Sequence, residues 1–195
     1  DATLLRLRAE RDELSAVVSD VLTLGMIKLQ RASQSDGANR QRLLDEAEHD
    51  FLAIREEASE LPAYHLGLGQ VYYRLGKTEA GEKELAGVLA RKEPGLSLQV
   101  AHAYRELGLD DRATTVATEV WSQGQKPHAQ NAALLLSILT YDLDEKDAWL
   151  ARADTTLPIV KTELGDVRAR KALRDGRLDE AERGLMKRLA LLYPD

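Results

Sequence analysis

The chain has 195 residues, 44% hydrophobic and 31% charged, with no cysteine and a formal net charge of −6. Its apolar share is ample for a buried core. The missing cysteines exclude a disulfide framework, a thiolate metal site and a thiol nucleophile, and the acidic balance works against nucleic-acid binding. No stretch approaches the ~18–20 consecutive apolar residues of a membrane span, so direct membrane insertion by this segment is not expected.

In chain order, the first predicted element is a long helix from about residue 3 to about residue 31. Leu4, Leu7, Leu14, Val18 and Val21 recur in it with a roughly heptad rhythm. Its first part, residues 1–16, exceeds what a helix pair needs, so it either caps the fold or ends a coiled coil or stalk. An opening Asp1 in place of Met is what a processed chain or a fragment shows. The stretch LTLGMIKLQ, 22–30, is expected to pair with RLLDEAEHDFLAIREEA, 42–58, across an enlarged polar turn, ASQSDGANR at 32–40.

Residues 63–94 predict a second pair. Leu66, Leu68, Val71, Tyr72 and Leu75 lie at helical intervals before Gly76, and Ala80, Leu85, Val88 and Leu89 follow it. Gly76 is the natural stop of the first helix, because glycine takes the left-handed conformation there without steric cost. Thr78 is the expected N-cap of the second helix, and Pro94 its close. Residues 95–127 repeat the scheme: Ala101, Tyr104, Gly108 and Ala113 each lie 32 residues after Gly69, Tyr72, Gly76 and Gly81. In 128–158 an apolar helix, a DLDEKD turn without glycine and a helix opening near Ala148 are expected. A last pair, 159–194, carries its turn at Gly176.

Five prolines punctuate this pattern, Pro62, Pro94, Pro127, Pro158 and Pro194, at spacings of 32, 33, 31 and 36 residues. Each is expected to close a helix pair, since proline lacks the N–H that would continue a helix. The sequence stops one residue after Pro194, as expected of a truncation between repeats or a missing C-terminal cap.

These residues resemble the tetratricopeptide repeat family, whose unit is a helix pair with a Leu-Gly, Tyr, Gly, Ala, large apolar, Ala and Pro pattern. Leu68, Gly69, Tyr72, Gly76, Gly81, Leu85, Val88 and Pro94 carry the resemblance in the second repeat. Val100, Ala101, Tyr104, Gly108, Ala113, Ala117 and Val120 carry it in the third, and Ala169, Ala172, Gly176, Ala181, Leu185 and Pro194 in the fifth. It is weaker in the first and fourth. The resemblance implies an all-α fold: a right-handed α-solenoid of about five repeats, at 17–62, 63–94, 95–127, 128–158 and 159–194, with 1–16 as a helical extension, in a single domain.

In this family the first helix of each pair faces a concave groove that binds a partner. Carried over, the groove positions are Gln70, Tyr73 and Arg74; His102, Arg105 and Glu106; Arg170, Leu173 and Arg174. The fourth repeat would offer Ser137, Thr140 and Tyr141, and the first Met26, Leu29 and Gln30. Arginine and tyrosine in that set suit an acidic or aromatic peptide segment. The Lys and Asn of the family's carboxylate-clamp subtype are missing from these slots.

Catalytic signals are lacking. His49, His65, His102 and His128 have neither the i, i+4 spacing nor the paired carboxylates of a helical metal site. The serines lie in no nucleophile-elbow motif, and LGLG at 66–69 sits within a predicted helix rather than a phosphate loop. Carboxylates such as Glu56, Glu57, Glu60, Asp144, Glu145 and Asp147 read as a solvated surface. The expectation is a non-catalytic scaffold without cofactor or metal that binds a protein or peptide. Two alternatives stay open: an oligomerisation or assembly module of a bacterial envelope complex joined through the N-terminal helix, and a sensor domain for a small peptide or metabolite. The bacterial assignment is a compositional impression, and periplasm, envelope and cytoplasm all remain open.

Overall fold

The computed structural model describes residues 2–192 and, for side chains, residues 12–190. The side chains of Leu4 and Leu7, and Pro194, lie outside those described residues. The described chain is all-helical, with eleven α-helices and no strand. It divides into two compact units, residues 1–92 and 93–195.

The first unit holds α1 (Ala2–Ser33), α2 (Gly37–Ala53), the short α3 (Arg55–Ala58), α4 (Pro62–Arg74) and α5 (Thr78–Leu89). The long first helix is present as expected. The turn behind it is not enlarged: α1 runs through Ser33 and α2 starts at Gly37, so most of the polar 32–40 segment is helical. Polarity of that segment reflects solvent exposure rather than a loop. The expected 42–58 helix is interrupted at Ile54, where φ −109° and ψ 17° leave the helical region.

Helices α1 and α2 pack together, and α4 packs on α1, α2 and α5. Their core contains Leu29, Ala32, Leu44, Ala47, Phe51, Tyr64, Leu68 and Val71. Phe51 is wholly buried, and room for its ring comes from two glycines. A Cβ on Gly25 of α1 would lie 2.8 Å from the ring, and one on Gly67 of α4 would overlap its Cζ. Burying such a side chain contributes roughly 1.5–3 kcal/mol, and its ring fixes the approach of three helices.

The second unit holds α6 (Pro94–Glu106), α7 (Asp110–Ser122), α8 (His128–Leu139), α9 (Leu143–Arg152), α10 (Pro158–Arg174) and α11 (Leu178–Leu192). Each packs on the next in chain order, and α6 also meets α8. Its apolar clusters include one around Leu98, Val120 and Ala132 and one around Ala133, Leu150, Val160, Leu164 and Val167. Trp121 packs against both.

Three of the turns share one hydrogen-bond geometry. Lys77 N–H donates to Tyr72 O and Gly76 N–H to Tyr73 O; Leu109 and Gly108 do the same to Tyr104 and Arg105, and Arg177 and Gly176 to Ala172 and Leu173, all at 2.8–3.1 Å. The glycines have φ of 76°, 74° and 76°. Each is a Schellman turn, which requires a left-handed residue at this position and satisfies carbonyls that a helix end leaves orphaned. Thr78 is the first residue of α5 rather than its cap; Lys77 takes the cap position, and its side chain makes no capping bond.

The prolines play a different part from the one expected. Pro62, Pro94 and Pro158 stand at the first turns of α4, α6 and α10, opening pairs rather than closing them, and Pro127 immediately precedes α8. At the first helical position an N–H has no intrahelical acceptor, so proline loses nothing there and its fixed φ suits the helix. The fourth pair also departs from expectation, because α9 starts at Leu143 and not near Ala148. Asp142 caps it, its Oδ1 accepting the N–H groups of Asp144 and Glu145 at 2.9 Å each. A carboxylate cap replaces the glycine turn.

Candidate functional site

Helix α4 shows how far register alone fixes a side chain's task. Gln70 is buried, and its amide donates back to the Leu66 carbonyl at 3.2 Å. Tyr73 turns toward α5, where its ring lies against Gly81 and its hydroxyl donates to Glu82. Arg74 is half-buried. Gln70 and Tyr73, both expected on a partner-binding face, are thus engaged within the helix pair, because a small residue at 81 leaves a hollow that a ring fills. On α1, Leu29 is buried, while Gln30 is exposed and Met26 is partly so, its sulfur near Gly67.

The second unit divides its expected residues into open and engaged. His102 on α6 is exposed and Arg105 half-buried. Desolvation by the surrounding chain, with the adjacent Arg105 guanidinium, holds the His102 imidazole below its usual value, so it is largely neutral near pH 7. Tyr141, just beyond α8, is 90% exposed, and Leu173 on α10 is also open. Ser137 is buried with its hydroxyl donating to Leu134 O, and Thr140 donates to Leu136 O.

Arg170 and Arg174 are engaged in ion pairs. Arg170 Nε lies 2.7 Å from Asp166, which also receives Arg188 from α11 at 2.6 Å. Arg174 Nη1 reaches Asp144 at 2.9 Å, and its Nε reaches Asp175 at 3.0 Å. Lys171 joins Asp144 at 2.9 Å and Asp147 at 2.8 Å, and Arg168 meets Asp147 at 3.2 Å. Hydrogen bonds from Arg174 and Lys171 draw the Asp144 carboxyl down to about 2. This network ties α9 to α10, so Asp144 and Asp147 are more than a solvated surface. Paired arginines of this kind have less to offer a partner than open ones.

His65, in the first unit, bridges elements too. Its Nε2 faces Ser59 O at 2.7 Å and its Nδ1 faces Glu84 at 2.5 Å. Because a carbonyl oxygen only accepts, Nε2 carries a proton. The ring thereby links the segment after α3 to α5. Among the described residues no group of three or more His, Asp or Glu is placed to hold a metal ion, and no helix is long and apolar enough to cross a membrane.

One feature of the second unit has no counterpart in the sequence-derived set. A cleft of about 690 Å³ opens between the α7–α8 turn, the start of α8 and the end of α9; Trp121, Lys126, Gln130, Arg152 and Thr155 are among the residues that line it. Trp121 meets Trp149 edge to face at 5.7 Å, and the Arg152 guanidinium lies 4.9 Å from the Trp149 ring centre. Both tryptophans of the chain are therefore in or beside one cleft. Their rarity was the signal available in the sequence, but no repeat register points at them because they come from the second helices of their pairs.

No protein-family model, no curated protein and no solved structure matches the chain.

Proposed function

We propose that the chain is a tetratricopeptide-like α-solenoid that serves as a non-catalytic scaffold for a protein or peptide segment. The observation that carries this reading is the threefold recurrence of one helix-pair design. Schellman turns at Gly76, Gly108 and Gly176 follow the same small-residue register, Gly69 with Gly81, Ala101 with Ala113, and Ala169 with Ala181, with all four alanines buried. First helices also meet first helices inside each unit, α1 with α4 and α6 with α8, which is how stacked pairs share a core that one pair cannot bury alone.

The binding face we assign lies in the second unit, over exposed His102 and half-buried Arg105 on α6, with exposed Tyr141 after α8. An exposed tyrosine offers rigid contact area, and an arginine offers a planar fork for a carboxylate or peptide carbonyls. Arg174 is left out because the α9–α10 network holds it. The experiment is selection of linear peptides from a random display library, followed by binding to a triple variant, His102→Glu, Arg105→Glu and Tyr141→Ala. Selected peptides are expected to bind the variant at least tenfold more weakly while its far-UV circular dichroism stays unchanged. Equal binding by the variant, or no enrichment over a control helical protein, would end this reading.

A further inference from the structure

The cleft beside the two tryptophans is formed entirely by residues of the second unit and needs nothing from the face assigned above. Its volume of about 690 Å³ falls within the range of small-ligand sites. Its chemistry is uneven in an informative way. Lys126 and Arg152 line it against one carboxylate, Asp154, and that carboxylate is already engaged. Its Oδ1 accepts both the Thr156 N–H at 2.9 Å and the Thr156 hydroxyl at 2.6 Å, and those bonds draw its carboxyl below the usual range.

The two cations are not committed in the same way. Among the described residues Lys126 makes no ion pair, and the contact shown for Arg152 is the face of Trp149. A guanidinium resting on a ring keeps its edge N–H groups free for a planar oxyanion. Arg168, Lys171 and Arg174, by contrast, are each held in ion pairs with Asp144, Asp147 or Asp175. In a chain of net charge −6, this leaves the cleft as a locally positive recess. Trp121 forms one wall, the exposed Ala151 adds small apolar surface, and Gln130 and Thr155 carry hydrogen-bonding groups.

We propose that this cleft binds a carboxylate carried on an apolar or aromatic body, with Lys126 and Arg152 receiving the carboxylate and Trp121 the body. Two sources present that chemistry, a free small aromatic acid and the C-terminus of a peptide ending in an apolar residue. The proposal does not depend on the solenoid reading, and peptide selection against the α6 face tests a different surface.

Because both tryptophans flank the cleft, intrinsic fluorescence reports on it directly. The experiment titrates the full chain with N-acetylphenylalanine, with N-acetylphenylalaninamide, and with the pentapeptide Ala-Ala-Ala-Ala-Phe bearing a free C-terminus. The acid is expected to give a saturable change, with the amide at least tenfold weaker and the acid's affinity falling as salt rises. Lys126→Gln with Arg152→Gln should abolish the preference for acid over amide. Should Arg152→Gln disturb α9, Lys126→Gln alone, which removes no described contact, is expected to weaken acid binding at least threefold. Tighter binding of the pentapeptide than of the acid assigns the site to a peptide end, and the reverse order assigns it to a free acid. Absence of saturation, equal binding of acid and amide, or an undiminished preference in the Lys126→Gln protein overturns the proposal.

Discussion

Between α4 and α5 the two backbones come into contact: a Cβ on Gly81 would lie 2.9 Å from the Gly69 carbonyl oxygen, and a Cβ on Gly69 would lie 2.9 Å from Leu85. The turn that joins them is a glycine in the left-handed region. Between α8 and α9 no glycine appears. Thr140 is extended, and Asp142 holds the first turn of α9 through two N–H groups. Outside that pair, the charges of α9 are gripped by α10. One pair is therefore fixed by the absence of side chains where two helices cross, and the other by side-chain hydrogen bonds and ion pairs at its ends. The first design tolerates no added volume, and the second depends on particular carboxylates.

Three measurements separate the two designs. Both tryptophans lie in the second unit, so fluorescence follows that unit, whereas circular dichroism follows all helices. The largest effect is expected from Gly81→Val, which forces atoms onto the Gly69 carbonyl and the Tyr73 ring; overpacking of this kind costs about 1–3 kcal/mol. The unfolding free energy from its urea transition, followed by circular dichroism, should fall by that amount, and an unchanged midpoint would remove the close-contact argument.

Next in size is Asp142→Ala, which leaves two N–H groups of α9 without their acceptor. Loss of such a cap costs about 1 kcal/mol, visible in the fluorescence-monitored transition, with Asp142→Asn or Asp142→Ser recovering most of it. A smaller effect is expected from pH. The Asp144 carboxyl is drawn to about 2 by Arg174 and Lys171, below the ~3.9 of an unfolded aspartate. Its contribution is therefore complete above about pH 4 and is lost as pH falls through about 2. Asp147 moves in the same direction: partial burial raises its carboxyl, but the hydrogen bonds from Lys171 and Arg168 outweigh that. The melting temperature of the native protein should fall more steeply between pH 4 and pH 2 than that of Asp144→Asn, and parallel curves would dismiss the network as a stabilising element.

The turns at Gly76, Gly108 and Gly176 were legible in the sequence because a left-handed residue after an apolar-periodic helix leaves few choices but glycine. The start of α9 was not, since DLDEKD reads as a polar turn until Asp142 is seen accepting backbone N–H groups. The prolines marked the right boundaries with the wrong sense, because the missing N–H is tolerated at the start of a helix as readily as it ends one. Among the candidate residues, His102 and Tyr141 are exposed and Arg105 is half-buried, whereas Gln70 and Tyr73 are occupied inside the α4–α5 pair.

Local periodicity and turn chemistry by themselves determined that this chain is a succession of paired helices, because those signals act within a few residues of one another. Which side chains remain available was decided only by tertiary structure. Whether Arg174 is open depends on Asp144, 30 residues earlier. The fit of Phe51 depends on glycines in two other helices. The tryptophan cleft depends on the ends of α7, α8 and α9 coming together. Such partners are distant in sequence, and no one-dimensional pattern specifies which charge or hollow a side chain will meet.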